Sequence, residues 1–268
     1  MSNGTLEGLE VVVTRTRTQA SQLRAELERR GASCVEIPAL ELEDMEGWEL
    51  EVFGAPQKFL GVTRKPNLRW DWTVITSKNA AERVARMIRL GRGRPEQLGF
   101  IAATGAATGR YLEKYGLSPS LVPENYIAEA LADALIARGV AGKRVLIPRA
   151  EEAREVLPQM LRDAGADVHV IPIYRTTMPE GGAALLQDVQ APPDLLTFAS
   201  SKTARHFAVM LEESGAQEWF EVPAAVIGPV TGETALELGF RVAVMPEENT
   251  IQALVASIEQ WHAGQRGR

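Results

Sequence analysis

The sequence predicts an α/β fold made of two similar lobes, each a doubly wound parallel sheet. Strand-like apolar runs alternate with helix-period runs along the chain, which implies parallel sheets covered on both faces. At 268 residues the chain can bury two cores of ordinary size. The third observation is an internal repeat.

In the first copy, Leu9–Val13 reads as a buried strand followed by Thr14-Arg15. Leu23 and Leu27 then keep helical spacing, and Gly31 supplies the stop. In the second, Val145-Leu146-Ile147 is followed by Pro148-Arg149, a helix through Leu157 and Leu161, and Gly165. Arg149 lies 134 positions after Arg15, and the same interval joins Leu157 to Leu23, Gly165 to Gly31 and Pro172 to Pro38.

The remaining elements repeat at a shorter interval. Thr73–Thr76 then Ser77-Lys78-Asn79-Ala80 resembles Leu195–Ala199 then Ser200-Ser201-Lys202-Thr203. Gly105-Ala106-Ala107-Thr108-Gly109 matches Gly228-Pro229-Val230-Thr231-Gly232, and Leu121-Val122-Pro123-Glu124 matches Val244-Met245-Pro246-Glu247, each 123 positions on. The closing helices are Ile127–Ile136 and Ile251–Ile258. The first copy therefore carries 11 extra residues between Glu41 and Trp72. That insertion, Gly47 to Asp71, holds Trp48 and Trp70 beside Trp72, with Lys58, Arg64, Lys65 and Arg69. It reads either as a basic lip over a cleft or as a surface hairpin or loose loop.

Val35–Leu40 and Val170–Thr176 are β-branched runs with an internal proline, which marks an edge strand or a connector. Both are read as crossings between the lobes, and Tyr174 is placed at the mouth of the cleft between them.

Composition narrows the function. The net charge of −6 gives no general attraction for nucleic acid or an anionic membrane. No apolar run reaches the roughly 18 residues of a membrane helix. Met1-Ser2-Asn3-Gly4 leads into a strand pattern without signal-peptide regions. The single Cys34 excludes an intramolecular disulfide and fits a reducing cytoplasm. It precedes an apolar strand and reads as a buried, inert thiol. His169, His206 and His262 are scattered, no cluster has metal-ligand spacing, and no metal is predicted.

In doubly wound sheets ligands bind beyond the carboxyl ends of the strands. Those ends hold Thr14-Arg15, Thr76-Ser77 with Asn79, Thr104-Gly105 with Thr108, Pro148-Arg149, Ser200-Ser201, and Gly228 with Thr231. Each Ser or Thr alone can be a helix cap. As a duplicated set they read as an anion site, because helix N-termini present unpaired N–H groups and a positive dipole end. Gly105 and Gly228 admit close backbone approach, or simply make tight turns. Neither loop has a Walker lysine or a dinucleotide glycine pattern. Arg15 and Arg149 can fork onto a carboxylate or form surface salt bridges.

Tyr174 breaks the repeat, since its counterpart is Leu40. An apolar residue in one copy and a phenol in the other suggests a task done once. An ordinary tyrosine, with a pKa near 10, is protonated at neutral pH and can donate to a leaving oxygen. A boundary residue with an amphipathic side chain is the other reading.

The run Ile171-Pro172-Ile173-Tyr174-Arg175-Thr176, the turn at Ser200-Ser201, Ile227-Gly228-x-x-Thr231 and Thr76-Ser77-x-Asn79-Ala80 together resemble the uroporphyrinogen-III synthase family. The likeness runs from about Leu9 to Ile258, outside the insertion. It implies two α/β domains joined by a two-stranded linker, the first made of residues 1–37 and 174–268 and the second of 38–173. It also implies a cofactor-free lyase that closes hydroxymethylbilane with inversion of the last ring, through an azafulvene and a spiro-pyrrolenine. By that likeness Tyr174 assists departure of the hydroxyl, and Thr231 and Ser200 lie on the ligand side. The expected protein is a cytoplasmic monomer, with the upstream hydroxymethylbilane synthase as a candidate partner. The alternative is a two-lobed, non-catalytic binding or sensor protein for a tetrapyrrole or another polyanion. An enzyme acting on a phosphorylated metabolite fits less well, without a phosphate-loop lysine.

Overall fold

A computed structural model describes residues 4–15, 17–54, 68–189 and 191–266. In chain order it begins with β1 (Glu10–Val13), α1 (Arg17–Glu28), β2 (Ser33–Glu36), β3 (Glu41–Asp44) and α2 (Trp48–Phe53). Next come β4 (Trp72–Ile75), α3 (Lys78–Arg89), β5 (Phe100–Ala103), α4 (Ala106–Glu113) and α5 (Ala128–Ile136). Then follow β6 (Arg144–Ala150), α6 (Val156–Asp163), β7 (Asp167–Thr177), α7 (Gly182–Gln187), β8 (Leu195–Phe198) and α8 (Ser201–Ser214). The chain closes with β9 (Pro223–Val226), α9 (Pro229–Glu237), β10 (Arg241–Val244) and α10 (Ile251–Arg266).

These elements form two compact units, Met1–Leu42 with Thr176–Arg268, and Glu43–Arg175. The first contains a sheet ordered β10-β9-β8-β1-β2, every neighbouring pair parallel. The second contains β3-β7-β6-β4-β5, in which β7–β6, β6–β4 and β4–β5 are parallel. The repeat extends to the topology. Ala102 forms an isolated parallel bridge with Leu121, where the other copy pairs Ala225 with Val244. Leu121 is thus the remnant of the strand that β10 completes in the first unit.

Period-two alternation explains why these runs fold as double-faced strands. Val12, Leu196, Phe198, Ala224 and Val226 join a core with Phe207, Trp219 and Phe240. The alternate residues Val11, Val13, Leu195, Ala225 and Val244 face Leu23, Leu27, Leu254, Val255 and Ile258 on the other side. Each fully buried Leu or Phe contributes about 1.5–3 kcal/mol. In the second unit Val74, Ala102, Val145 and Ile147 pack on Leu131, Leu135, Leu157 and Leu161.

Three expectations change. The units divide after Leu42 and after Arg175, and not after Ile37 and Ile173. Ala39 holds the first crossing back, since its N–H donates to Thr14 O at 3.0 Å and its carbonyl accepts from His206 Nδ1 at 2.9 Å. At the second crossing Tyr174 still pairs with Ala150 of β6, which keeps it in the second unit.

Second, β7 is an interior strand despite Pro172, because β3 lies outside it. The missing N–H is accommodated where the β6–β7 register shifts, between the pairs Arg149–Pro172 and Ala150–Tyr174.

Third, the described ends of the insertion are neither lip nor loose loop. Trp48, Val52, Phe53 and Trp70 are buried, and Trp70 Nε1 donates to Val52 O at 2.9 Å. Gln97 Nε2, also buried, donates to Phe53 O at 2.7 Å. Lys58, Arg64 and Lys65 lie outside the described residues.

Candidate functional site

Parallel pairing sets the carboxyl ends of neighbouring strands side by side, Val13 with Thr197, Phe198 with Val226 and Ile75 with Ala103. Helices α3, α4, α8 and α9 start at those ends, so their free N–H groups and positive dipole ends collect there in each unit.

In the first unit Ser200 caps α8, its Oγ accepting from Thr203 N at 3.2 Å and lying 2.8 Å from Thr203 Oγ1. Ser201 is committed to a structural task, donating to Val230 O at 3.1 Å and accepting from Thr234 Oγ1 at 2.8 Å. That bond ties α8 to α9 and places the Ser200–Ser201 turn beside Gly228 and Thr231. Thr231 is buried in the first turn of α9. Arg15 follows β1 and is half-buried, and its Nε has no hydrogen-bond partner among the described residues. Burial pushes its pKa below the ordinary guanidinium value; arginine nevertheless remains a cation.

In the second unit Thr76 follows β4 and Ser77 caps α3, its Oγ accepting from Ala80 N at 3.1 Å. Asn79 lies in the first turn, where its carbonyl accepts from Arg83 at 3.2 Å. Thr108 is buried in the first turn of α4. Arg149 departs from its counterpart Arg15. It lies inside β6, is buried, and donates to Arg154 O at 2.8 Å and to the Glu155 carboxylate. Its two terminal nitrogens are therefore occupied, while its Nε, like that of Arg15, has no hydrogen-bond partner among the described residues.

Both loop glycines serve a neighbouring side chain. Gly105 and Gly228 are extended, so no left-handed backbone requires them. A Cβ on Gly105 would come within 3.3 Å of the Tyr126 ring, and one on Gly228 within 2.2 Å of Asn249 Oδ1. Asn249 lies 123 positions after Tyr126, so the repeat preserves this close approach.

Tyr174 does not stand at a strand exit, since β7 continues to Thr177, and its side chain is only 5 % exposed. Its hydroxyl lies 3.2 Å from Ser77 Oγ, and the Arg83 guanidinium lies over its ring, 4.4 Å from the centroid. Sequence reasoning passed over Arg83 and its partner Asp44, whose separation of 39 residues gives no local signal. Thr104, placed at the end of β5 by the sequence, has a buried hydroxyl without a partner among the described residues.

A hollow of about 400 Å³ on the second unit is lined by Glu82, Arg83, Arg86, Arg89, Tyr111 and Tyr115. Arg83 and Arg86 are both paired with Asp44, which leaves the hollow less cationic than its residues suggest. Among the described residues no group of His, Cys, Asp or Glu is placed to hold a metal ion, and no helix is long and apolar enough to cross a membrane.

Two copies of a doubly wound sheet, each with a serine-capped helix, α3 at Ser77 and α8 at Ser200, starting at its strand ends, define an α/β protein of two similar units. The family model described as uroporphyrinogen-III synthase HemD matches residues 21–256. A uroporphyrinogen-III synthase from Synechococcus elongatus is 32% identical over 271 residues, covering 97% of this chain and 98% of its own. Another, from Chlorobaculum parvum, is 26% identical over 251 residues, covering 88% of this chain and 92% of its own.

Among solved structures, the Helicobacter pylori uroporphyrinogen-III synthetase aligns with a TM-score of 0.54 at 15% identity, covering 97% of this chain and 99% of its own. A mutant Thermus thermophilus uroporphyrinogen III synthase gives 0.53 at 17%, covering 96% and 100%. These two likenesses show a shared fold. The chain belongs to the uroporphyrinogen-III synthase family, lyases of tetrapyrrole biosynthesis.

Proposed function

We propose that this protein cyclises hydroxymethylbilane to uroporphyrinogen III, inverting the last ring. The observation that carries this reading is the family match, which takes in most of both units. The substrate is a chain of pyrroles bearing many carboxylates, and it closes unaided to the symmetric isomer. The enzyme's task is therefore to control conformation more than to supply reactive groups.

The strand-end residues suit that task. Arg15 offers an Nε donor with no partner among the described residues, while Thr76, Ser77, Asn79, Gly105, Thr108, Ser200, Gly228 and Thr231 surround helix N-termini able to hold carboxylates. Ser201 belongs to the same turn, and Arg149 can join the set once Glu155 yields.

Tyr174 is the proton donor of this reading. Its ring is covered while Ser77 is only half-buried, so the Ser77 hydroxyl is the group that can pass the proton onward. The carbon–oxygen bond breaks, the hydroxyl leaves with that proton as water, and the pyrrole's electrons fill the vacancy to give the azafulvene. A proton lost by the substrate restores the phenol, and the balance is one water released. No cofactor enters this scheme. The protein is expected to act as a cytoplasmic monomer and to receive substrate from the hydroxymethylbilane synthase.

The test feeds fresh hydroxymethylbilane to the protein and separates the product isomers. Type III product in excess over the no-protein control is expected. Type I product at the control level would reject the synthase reading.

A further inference from the structure

Tyr174 is clamped from a direction that the reaction does not explain. Arg83, one helical turn beyond Asn79 on α3, is 8 % exposed. Its guanidinium carbon stands 4.4 Å from the Tyr174 ring centroid, within the range of a cation–aromatic contact. Its Nε donates to Asp44 Oδ1 at 2.6 Å and its NH1 donates to Asn79 O at 3.2 Å. Asp44 also takes Arg86, so one carboxylate of β3 anchors both arginines. β3 neighbours β7, the strand that carries Tyr174. The ring therefore has Arg83 over one face while its hydroxyl meets Ser77 at 3.2 Å.

We propose that Arg83, anchored by Asp44, is a positioning residue for Tyr174, fixing the ring so that its hydroxyl stays on Ser77. This rests on the reading of Tyr174 as proton donor. Two physical effects follow from the geometry. A ring packed beneath a planar cation loses the freedom to swing away from Ser77, so alignment is set before substrate arrives. The positive charge over the ring also favours the negative charge that develops on the phenol oxygen as its proton leaves. A lysine keeps the charge but not the planar fork that grips Asp44 and covers the ring.

A double-mutant cycle on hydroxymethylbilane turnover tests this. Arg83→Met is expected to lower kcat about tenfold with KM within about twofold, and to have no further effect in a Tyr174→Phe background. Equal losses in both backgrounds would overturn the proposal. Asp44→Asn, which keeps Arg83 but loosens it, should give a smaller loss of the same kind, and it replaces Arg83→Met should that variant not fold.

A second measurement does not depend on activity. The protein has four tyrosines; with all of them carbon-13 labelled, the Tyr174 signal is identified by its absence from Tyr174→Phe. Arg83→Met, or Asp44→Asn in its place, should shift that signal, and an unmoved signal would overturn the clamp. A shifted signal together with an unchanged rate in Tyr174→Phe would refute the proton-donor reading and leave the clamp standing.

Discussion

The Tyr174 hydroxyl and Ser77 Oγ lie 3.2 Å apart although 97 positions separate them in the chain. The bond joins β7 to the capping residue of α3, at the end of the sheet where ligands of doubly wound folds sit. Tyr174→Phe keeps the ring, its packing and the Arg83 contact, and removes only the hydroxyl. Turnover of hydroxymethylbilane should fall by about a hundredfold with binding of the product little changed. Ser77→Ala should lower turnover as well, and should cost about 1 kcal/mol of stability because the α3 cap is lost. Steady-state rates and thermal melts check both, and an unchanged rate in Tyr174→Phe removes the phenol from the chemistry.

What could be read from the sequence was what is local. The stops at Gly31 and Gly165 carry left-handed backbone, with φ of 96° and 84°, and the caps Ser77 and Ser200 were visible beside their helices. The repeat also aligns Leu121 with Val244, and the two pair with equivalent residues, Ala102 and Ala225. What could not be read is set by partners far along the chain. Arg15 and Arg149 are equivalent by interval, yet Glu155 engages only the second. Nothing near Tyr174 in sequence announces Arg83 or Asp44. The tryptophans of the insertion looked like surface features because basic residues surround them, whereas Trp48 and Trp70 are 2 % and 5 % exposed.

Arg149 leads to the second prediction. Its guanidinium binds Glu155, and the side chains are 9% and 63% exposed, so solvent screens the carboxylate more than the arginine and loss of the pair costs some stability as well. Glu155→Gln removes the charge that competes for Arg149 and leaves the helix intact. If Arg149 takes a substrate carboxylate, KM for hydroxymethylbilane should fall by about two- to fivefold. A steady-state titration reads this directly, and an unchanged KM takes Arg149 out of the binding set.

Cys34 gives a pH prediction. Burial pushes its thiol up to about 11, so at pH 8 roughly one molecule in a thousand carries the thiolate, against roughly a quarter for free cysteine. Alkylation of the folded protein at pH 8 should be at least about a hundredfold slower than in denaturant. Because the folded pKa is raised, the thiol's contribution to stability is full below the unfolded value. It is lost as pH rises through about 11. Cys34 is half-buried in the structure and not fully buried as the sequence suggests, and labelling at comparable rates in both states would contradict a raised thiol pKa.

Gly99 gives the sharpest stability test. Its φ is +61°, and a Cβ there would come within 2.2 Å of Trp70 O and 2.5 Å of Asp71 O. Those carbonyls cannot easily retreat, because Trp70 N donates to Gln97 O and Asp71 O accepts from Phe100 N, each at 2.9 Å. Gly99→Ala combines strained backbone with a clash against fixed main chain, and should cost about 2 kcal/mol or more. Gly91→Ala is the control, with φ of +67° and nothing within 4 Å of its Cβ. It should show only the backbone cost, about 1 kcal/mol. Denaturant midpoints of the two variants separate the contributions, and equal losses would mean that the Trp70–Asp71 backbone yields where its hydrogen bonds say it is held.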